Sequence, residues 1–220
     1  MELADGLEKY KSYPTYYSFT VQLESQAREI LDLLDTYGDQ PSQTALSQAK
    51  NFLLEVEKWK AGCLQQRMGN AAKNSERAIW QAFQGAVNAA TDTEAILSIM
   101  QLKGFGASVD DETGQRRAKV ATSVLRFLWP NKWGVVDWRV AVILGLLEKH
   151  NWNVDKVLYK ANKQRVEDLR NLYDLMNEQV ACEMNEQYRQ ISQRYSSILP
   201  RAADVDMALF GISLMAWPMP

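Results

Sequence analysis

The chain has 220 residues, of which 46% are hydrophobic and 24% charged, and its formal net charge at pH 7 is −2. These values are typical of a globular protein that is long enough to bury a core, and they exclude a strongly basic or low-complexity chain. No apolar run reaches the roughly 18 residues that a membrane-spanning helix needs, so we expect no membrane partner.

The two cysteines and the single histidine predict no special chemistry. Cys63, Cys182 and His150 lack the spacing of metal ligands, so we expect neither a zinc site nor a disulfide framework. The acidic, polar N-terminus does not resemble a secretion signal. A reducing cytoplasm is the compartment that these features favour.

Helical patterns follow one another along the first half of the chain, because glycine and proline are scarce and strand-like alternation is nearly absent. The tyrosine-rich residues 1–17 are expected to form an irregular arm. We predict helices over 18–37, 40–59, 75–87 and 92–103, with Ser75 and either Asp92 or Thr93 as N-caps.

The second half of the chain is also predicted to be helical. The patterns predict helices over 115–129, 138–149, 153–161, 164–197 and 203–217, and the fourth of these is expected to bend or break near 178–183. No linker divides the chain. Eight to ten helices joined by short turns indicate an all-α fold that forms a single domain over residues 1–220.

Positive charge is concentrated in one segment. Between Gln115 and Arg139 there are six basic residues and one acidic residue, whereas the remainder of the chain is acidic. Such a segment is either a solvated basic helix face or an electrostatic footprint for a nucleic acid, and both interpretations stay open on charge alone.

A turn with two glycines precedes this segment. Residues Leu102 to Gly106 read L-K-G-F-G, and the N–H groups of Gly104 and Gly106 can approach a phosphate closely because no side chain intervenes. Phe105 is expected to anchor the turn in the core. An ordinary helix C-cap explains Gly104 equally well.

Lys119 and Asp137 are predicted to lie side by side. A helix from Lys119 to Trp129 rises about 15 Å at about 1.5 Å per residue. The residues 130–136 can span up to about 23 Å when extended, which is enough to return the chain to the level of Lys119. Each residue would then lie at a helix N-terminus, where unpaired N–H groups favour an anion. Taken separately, Asp137 could be a simple N-cap and Lys119 a solvated lysine.

Together these residues resemble the helix-hairpin-helix DNA glycosylases, in particular the 8-oxoguanine glycosylase branch. That family joins an L-x-G-[hydrophobic]-G hairpin to a lysine in a K-V-A helix start, and a V-D-x-[His or basic] turn follows. The matching residues are Leu102–Gly106, Lys119-Val120-Ala121 and Val136-Asp137-Trp138-Arg139. The chain departs from the family in residues 107–118, which intervene between the hairpin and the lysine. The close match covers residues 102–140.

The resemblance implies a helix-hairpin-helix glycosylase fold of two packed helical lobes. It also implies an enzyme that excises an oxidised purine, with 8-oxoguanine as the first candidate, from double-stranded DNA during base excision repair. Lys119 would attack C1′ of the deoxyribose and expel the flipped base, and the resulting Schiff base would eliminate the 3′ phosphate. Asp137 would accept or relay a proton, or stabilise positive charge on the sugar. The enzyme would be a monomer without a cofactor, although a monovalent cation could bind at the hairpin.

A base pocket and a phosphate-binding surface are also expected. Asp206 and Phe210 share one face of the last helix and are similar to an acid and an aromatic that bind the base in archaeal members of this branch. Ser123 and Phe127 match pocket-lining positions, and Trp80 and Trp138 are further stacking candidates. The expected phosphate-binding residues are Gly104, Gly106, Arg116, Arg117, Lys132 and Arg139. Core packing is the alternative for the aromatic residues, and a first-turn helix charge is the alternative for Asp206.

Two other functions stay open at the level of the sequence. The same fold could act on another modified guanine or another nucleic acid, for example in a bacterial defence system. Alternatively, the chain could be a helical module that binds DNA or a protein partner without catalysis.

Overall fold

The computed structural model describes residues 2–61, 69–106, 118–149 and 176–216. These ranges are helical and contain no strand, which confirms the predicted all-α class. A short 3₁₀ helix, Ala71–Lys73, lies between α3 and α4. The ten α-helices of these ranges are α1 Leu3–Lys11, α2 Pro14–Tyr37, α3 Gln43–Lys60, α4 Glu76–Val87, α5 Asp92–Met100, α6 Ala118–Leu128, α7 Trp138–Ile143, α8 Leu146–Lys149, α9 Glu178–Arg194 and α10 Ala202–Ala216.

The N-terminal segment is helical, so the prediction of an irregular arm over residues 1–17 is wrong. Helix α1 covers residues 3–11, and α2 already begins at Pro14, whose fixed φ angle suits a first helical turn. Helix α1 lies against α10, and a β-carbon on Gly211 would overlap the carbonyl oxygen of Gly6. This close backbone contact stabilises α1 through tertiary packing, which the sequence pattern of α1 does not reveal.

Capping residues fix the starts of the central helices. Ser42 and Ser75 each accept a hydrogen bond from a backbone N–H of the first turn, at 3.1 Å in both cases. Helix α5 is capped by Thr91 rather than by the predicted Asp92 or Thr93. The reason is a capping box, in which Thr91 and Glu94 each bond to the backbone of the other.

The C-terminal helices differ from prediction in their bounds. The predicted helix over 138–149 is divided at Gly145, whose φ of 69° lies in the left-handed region. The long pattern over 164–197 corresponds to a described helix that begins at Glu178, with Asn177 as its N-cap. The predicted helix over 153–161 lies outside the described residues.

Helix α6 is the centre of the packing. It contacts α2, α3, α5 and α9, and its side chains are buried continuously from Ala121 to Leu128. Helix α10 packs against α1, α7 and α9, and the buried side chains of all these helices form one core. No helix in the described ranges combines the length and the apolar character that crossing a bilayer requires.

Candidate active site

Lys119 and Asp137 form an ion pair at the start of two helices. Nζ of Lys119 lies 3.3 Å from Oδ2 of Asp137, and the two side chains are 17% and 12% exposed. Lys119 belongs to the first turn of α6, and Asp137 is the N-cap of α7. Oδ1 of Asp137 accepts a hydrogen bond from the backbone N–H of Arg139 at 3.0 Å. The carboxylate therefore caps a helix with one oxygen and holds the lysine with the other, and the predicted proximity of the two residues is confirmed.

The segment that returns from α6 to Asp137 is fixed by buried side chains. The Gly134 N–H donates to Oδ1 of Asn185 at 2.7 Å, and the Val136 N–H donates to Oγ1 of Thr122 at 3.1 Å. Asn185 and Thr122 have no exposed surface. A buried N–H that loses its acceptor costs about 1–3 kcal/mol. These bonds therefore hold the carboxylate in place beside the lysine.

A small pocket, with a cavity volume of about 30 Å³, opens beside this pair. Aromatic and ionisable side chains dominate its lining, which comprises Tyr10, Tyr16, Trp59, Lys60, Val135, Asp137, Asp206 and Phe210. Trp59 is held from three sides. Its Nε1–H donates to Oγ1 of Thr20 at 2.8 Å, the Tyr16 ring stacks on it at a centroid distance of 5.1 Å, and the Phe127 ring meets it edge to face at 4.9 Å. The aromatic wall of the pocket is consequently rigid.

Asp206 projects into this pocket from α10. Burial raises the pKa of this carboxyl from its usual 3.8 to about 7, although the Arg126 guanidinium, the Val135 N–H and the Lys60 ammonium act in the opposite direction. The raised pKa favours the protonated form of Asp206 compared with an ordinary carboxyl group. The carboxyl group can therefore both donate and accept a hydrogen bond.

Lys60, the last residue of α3, lines the same pocket. Burial lowers the pKa of Lys60 to about 7, and the positive charge of Lys119 acts in the same direction. Asp137 and Asp206 oppose this shift. Burial alone would also raise the pKa of Asp137, but the charges of Lys119 and Lys60 outweigh it and hold that pKa below its usual value.

Arg126 is a fully buried cation next to this cluster. Its Nη1 lies 2.8 Å from Oε1 of Glu24, and its guanidinium lies 4.6 Å from the centroid of the Phe127 ring. Its Nε and Nη2 have no hydrogen-bond partner among the described residues. Burial of these unpaired donors costs free energy, which the ion pair with Glu24 offsets in part.

The other four predicted pocket residues do not line the pocket. They are Ser123, Phe127, Trp80 and Trp138. Ser123 is buried, and its hydroxyl donates to the Lys119 carbonyl oxygen at 3.2 Å. Phe127 supports Trp59 from the core, and Trp138 is only 5% exposed. Trp80 does not line this pocket: its ring is buried in the core, and its Nε1–H donates to the Gly38 carbonyl oxygen at 2.9 Å. Trp80 is therefore a core residue and not a part of the base pocket.

The glycine turn is held against the segment before α4. Asn74 accepts a hydrogen bond from the Lys103 N–H at 2.8 Å and donates one to the Lys103 carbonyl oxygen at 3.1 Å. Gly104 has a φ of 83°, and a β-carbon there would overlap Asn70. Phe105 is fully buried, as expected. Close packing alone therefore requires glycine at this position, whether or not a phosphate binds.

The predicted basic residues lie in different surroundings. Arg116 and Arg117 fall outside the described residues. Lys132 lies 2.8 Å from Asp92 and remains 48% exposed on its side chain. The Arg139 guanidinium lies 5.5 Å from the Trp138 ring centroid and 5.9 Å from that of Phe210. Arg139 therefore lies close to an aromatic that lines the pocket.

Sequence reasoning missed five residues of the pocket lining and the buried Arg126 beside it. The five lining residues are Tyr10, Tyr16, Trp59, Lys60 and Val135. Lys60 carries no distinguishing signal in the sequence, because basic residues commonly end a helix. Arg126 is one of the six basic residues counted between Gln115 and Arg139, although the apolar residues on both sides of it in α6 indicate a buried segment. That apolar context was the available clue for Arg126.

Within the described ranges, no three histidine, cysteine or carboxylate side chains cluster as a metal site. Comparison of the chain with models of protein families, with curated proteins and with solved structures finds no match. The geometry of the pocket and the motifs around it are thus the basis for assigning a function.

Proposed function

We propose that this protein is a helix-hairpin-helix DNA glycosylase that removes an oxidised purine, with 8-oxoguanine as the first candidate, and cleaves the resulting abasic site. The observation that carries the proposal is the ion pair between Lys119 and Asp137 at 3.3 Å, beside a pocket with aromatic walls. Each member of the pair stands at the start of a helix, as in the motif that the sequence resembles.

The chemistry begins with Lys119. A neutral amine at Nζ attacks C1′ of the deoxyribose, the new N–C1′ bond replaces the glycosidic bond, and the base leaves with the bonding electrons and takes up a proton. Opening of the sugar ring gives a Schiff base. Loss of a C2′ proton then breaks the bond to the 3′ phosphate.

Asp137 acts as an anion in this scheme. The positive charges around it hold its pKa below the usual value, so it stays ionised at neutral pH. An ionised carboxylate can accept a proton, and it stabilises the positive charge that builds on the sugar as the base leaves. The lowered pKa favours the electrostatic role, because it makes Asp137 a weak proton acceptor.

Base recognition falls to Asp206 and Phe210. The ionised fraction of Asp206 accepts hydrogen bonds from the N1–H and N2–H edge of a guanine, and the Phe210 ring offers a stacking surface beside it. The cavity volume of about 30 Å³ lies far below the range of about 300–1,000 Å³ for small-ligand sites, so the pocket must widen to admit a base. A base that enters this pocket must be flipped out of the duplex.

A nicking assay on a panel of duplexes tests this function. Each duplex carries one lesion, either an oxidised purine, an oxidised pyrimidine, uracil or an abasic site, and an undamaged duplex is the negative control. We expect cleavage at the oxidised purine and at the abasic site, and we expect Lys119→Gln to abolish both. Binding to every duplex without cleavage would contradict the enzyme and favour a non-catalytic DNA-binding module.

A further inference from the structure

A single hydroxyl group joins the three helices that supply most of the aromatic lining of the pocket. Oγ1 of Thr20, on α2, lies 2.8 Å from Nε1 of Trp59 on α3 and 2.9 Å from the phenol oxygen of Tyr10 on α1. It also lies 2.9 Å from the carbonyl oxygen of Tyr16, one turn earlier on α2. Thr20 is 1% exposed, so bulk water does not compete for these contacts.

The three contacts use the whole hydrogen-bonding capacity of this hydroxyl. A threonine hydroxyl has one proton and two lone pairs, and an indole N–H can only donate. All three contacts are hydrogen bonds at once when the proton points to the Tyr16 carbonyl oxygen and the two lone pairs accept from Trp59 and Tyr10. The two rings are then tied at their polar ends to one oxygen atom.

The indole of Trp59 depends on this hydroxyl. Trp59 is 4% exposed, so removal of the Thr20 oxygen takes away the acceptor of its N–H in a place that water hardly reaches. An unpaired buried donor is costly, and a ring that can turn towards another acceptor will do so. The Tyr10 phenol loses one bond at the same time. The positions of both rings at the pocket therefore depend on Thr20.

Given the function proposed above, we propose that Thr20 is the positioning residue of the base pocket, and that its hydroxyl sets the Trp59 and Tyr10 rings for the flipped base. Thr20 does not line the pocket and acts through these two rings, which do. Its bonds fix this part of the lining. The widening that a base requires falls to the rest of the lining, which includes Phe210.

The effect of Thr20 should depend on the presence of a base. A duplex with 8-oxoguanine must place its flipped base against the rings before Lys119 attacks, whereas a duplex with an abasic site has no base to place. Reaction at the abasic site requires Lys119 and Asp137 but not the aromatic lining. A residue that only supports the fold would affect both reactions alike.

Thr20→Val removes the hydroxyl and keeps nearly the same shape. Sodium borohydride reduces the Schiff base and so traps the adduct between protein and DNA, whose formation is followed in single turnover. We expect this adduct to form about 10-fold more slowly with the 8-oxoguanine duplex, and within about twofold of the wild-type rate with the abasic duplex. Thr20→Ser retains the hydroxyl and should restore the wild-type rate with the 8-oxoguanine duplex.

Thr36→Val is the matched control. Thr36 lies on the same helix, and its hydroxyl donates to the carbonyl oxygen of Asp32, four residues earlier, at 2.7 Å. No described aromatic side chain bonds to it, so this variant should react at the wild-type rate with both duplexes. Should Thr20→Val not fold, as judged by its thermal transition, Thr20→Cys replaces it with the same expectation, because a thiol is a weak acceptor.

The outcomes for Thr20 and for the function can be told apart. A Thr20→Val variant that reacts as fast as wild type with the 8-oxoguanine duplex overturns the role of Thr20 and leaves the function intact. Equal slowing with both duplexes also overturns that role, because Thr20 would then only support the fold. A wild type that forms no adduct with either duplex removes the function, and the role of Thr20 with it.

Discussion

Replacement of Asp206 by asparagine tests whether the pocket holds a protonated carboxyl group. The side chain is 6% exposed, and burial raises its pKa from 3.8 to about 7. The pKa of Asp206 is about 7 in the folded protein and 3.8 in the unfolded chain. Between these two pH values the folded protein therefore binds more protons than the unfolded chain. This carboxyl group therefore stabilises the fold least above pH 7, and its contribution falls as the pH rises from about 4 to 7.

The magnitude follows from the pKa difference. One pKa unit corresponds to about 1.4 kcal/mol, so the ionised carboxylate costs up to about 4 kcal/mol above pH 7 relative to a neutral group. Asparagine has nearly the same shape and does not titrate. We expect the stability of Asp206→Asn relative to wild type to increase by roughly 2.5 kcal/mol between pH 5 and pH 8.

Urea denaturation at the two pH values measures this difference. Asp204→Asn, one half-turn earlier on α10, is the matched control. Asp204 pairs with Arg201 at 2.6 Å, so its replacement should lower the free energy of unfolding by a similar amount at both pH values. Equal effects of Asp206→Asn at pH 5 and pH 8 would refute the reasoning, because the carboxyl group would then not titrate in this range.

Three further substitutions test other parts of the structure. Asp137→Asn keeps a good N-cap but removes the negative charge, so formation of the borohydride-trapped adduct with DNA should slow about 100-fold or more while the thermal transition is largely retained. An unchanged rate would show that the charge is dispensable. Arg139→Ala should weaken DNA binding for all sequences and reduce the slope of log affinity against log salt by about 0.9, whereas Arg28→Ala on α2 should leave that slope unchanged. Gly211→Ala places a β-carbon on the Gly6 carbonyl oxygen and should lower the free energy of unfolding by about 1–3 kcal/mol. Gly85→Ala meets only the movable Ser98 side chain and should cost much less, so equal losses for the two glycines would contradict the proposed contact between α1 and α10.

The pairing of Lys119 with Asp137 could be predicted because it depends on lengths along the chain. Helix rise and the reach of the returning segment set how far apart the two side chains can be, and the structure places them 3.3 Å apart. The helix starts at Ser42 and Ser75 were predictable for a similar reason, since a capping hydroxyl acts on its own first turn.

Contacts between distant segments could not be predicted in this way. Trp80 and Trp59 both belong to helical segments, and their sequences do not distinguish them. In the fold, the Trp80 N–H donates to the Gly38 carbonyl oxygen in the core. Thr20 and Tyr16 hold Trp59 beside the pocket. The same holds for α1, whose stability depends on α10, some 200 residues away in the sequence. The lowered pKa of Lys60 could not be predicted, because it depends on burial and on charges that α6, α7 and α10 contribute.

Peptide mapping of the borohydride-fixed complex tests the central claim most directly. The wild-type protein is trapped on a duplex with 8-oxoguanine and digested, and the modified residue is located by mass spectrometry. We predict a single deoxyribose-derived adduct on Nζ of Lys119. An adduct on Lys60 or on the N-terminal amine, or a digest in which no lysine is modified, would contradict the assignment of Lys119 as the nucleophile.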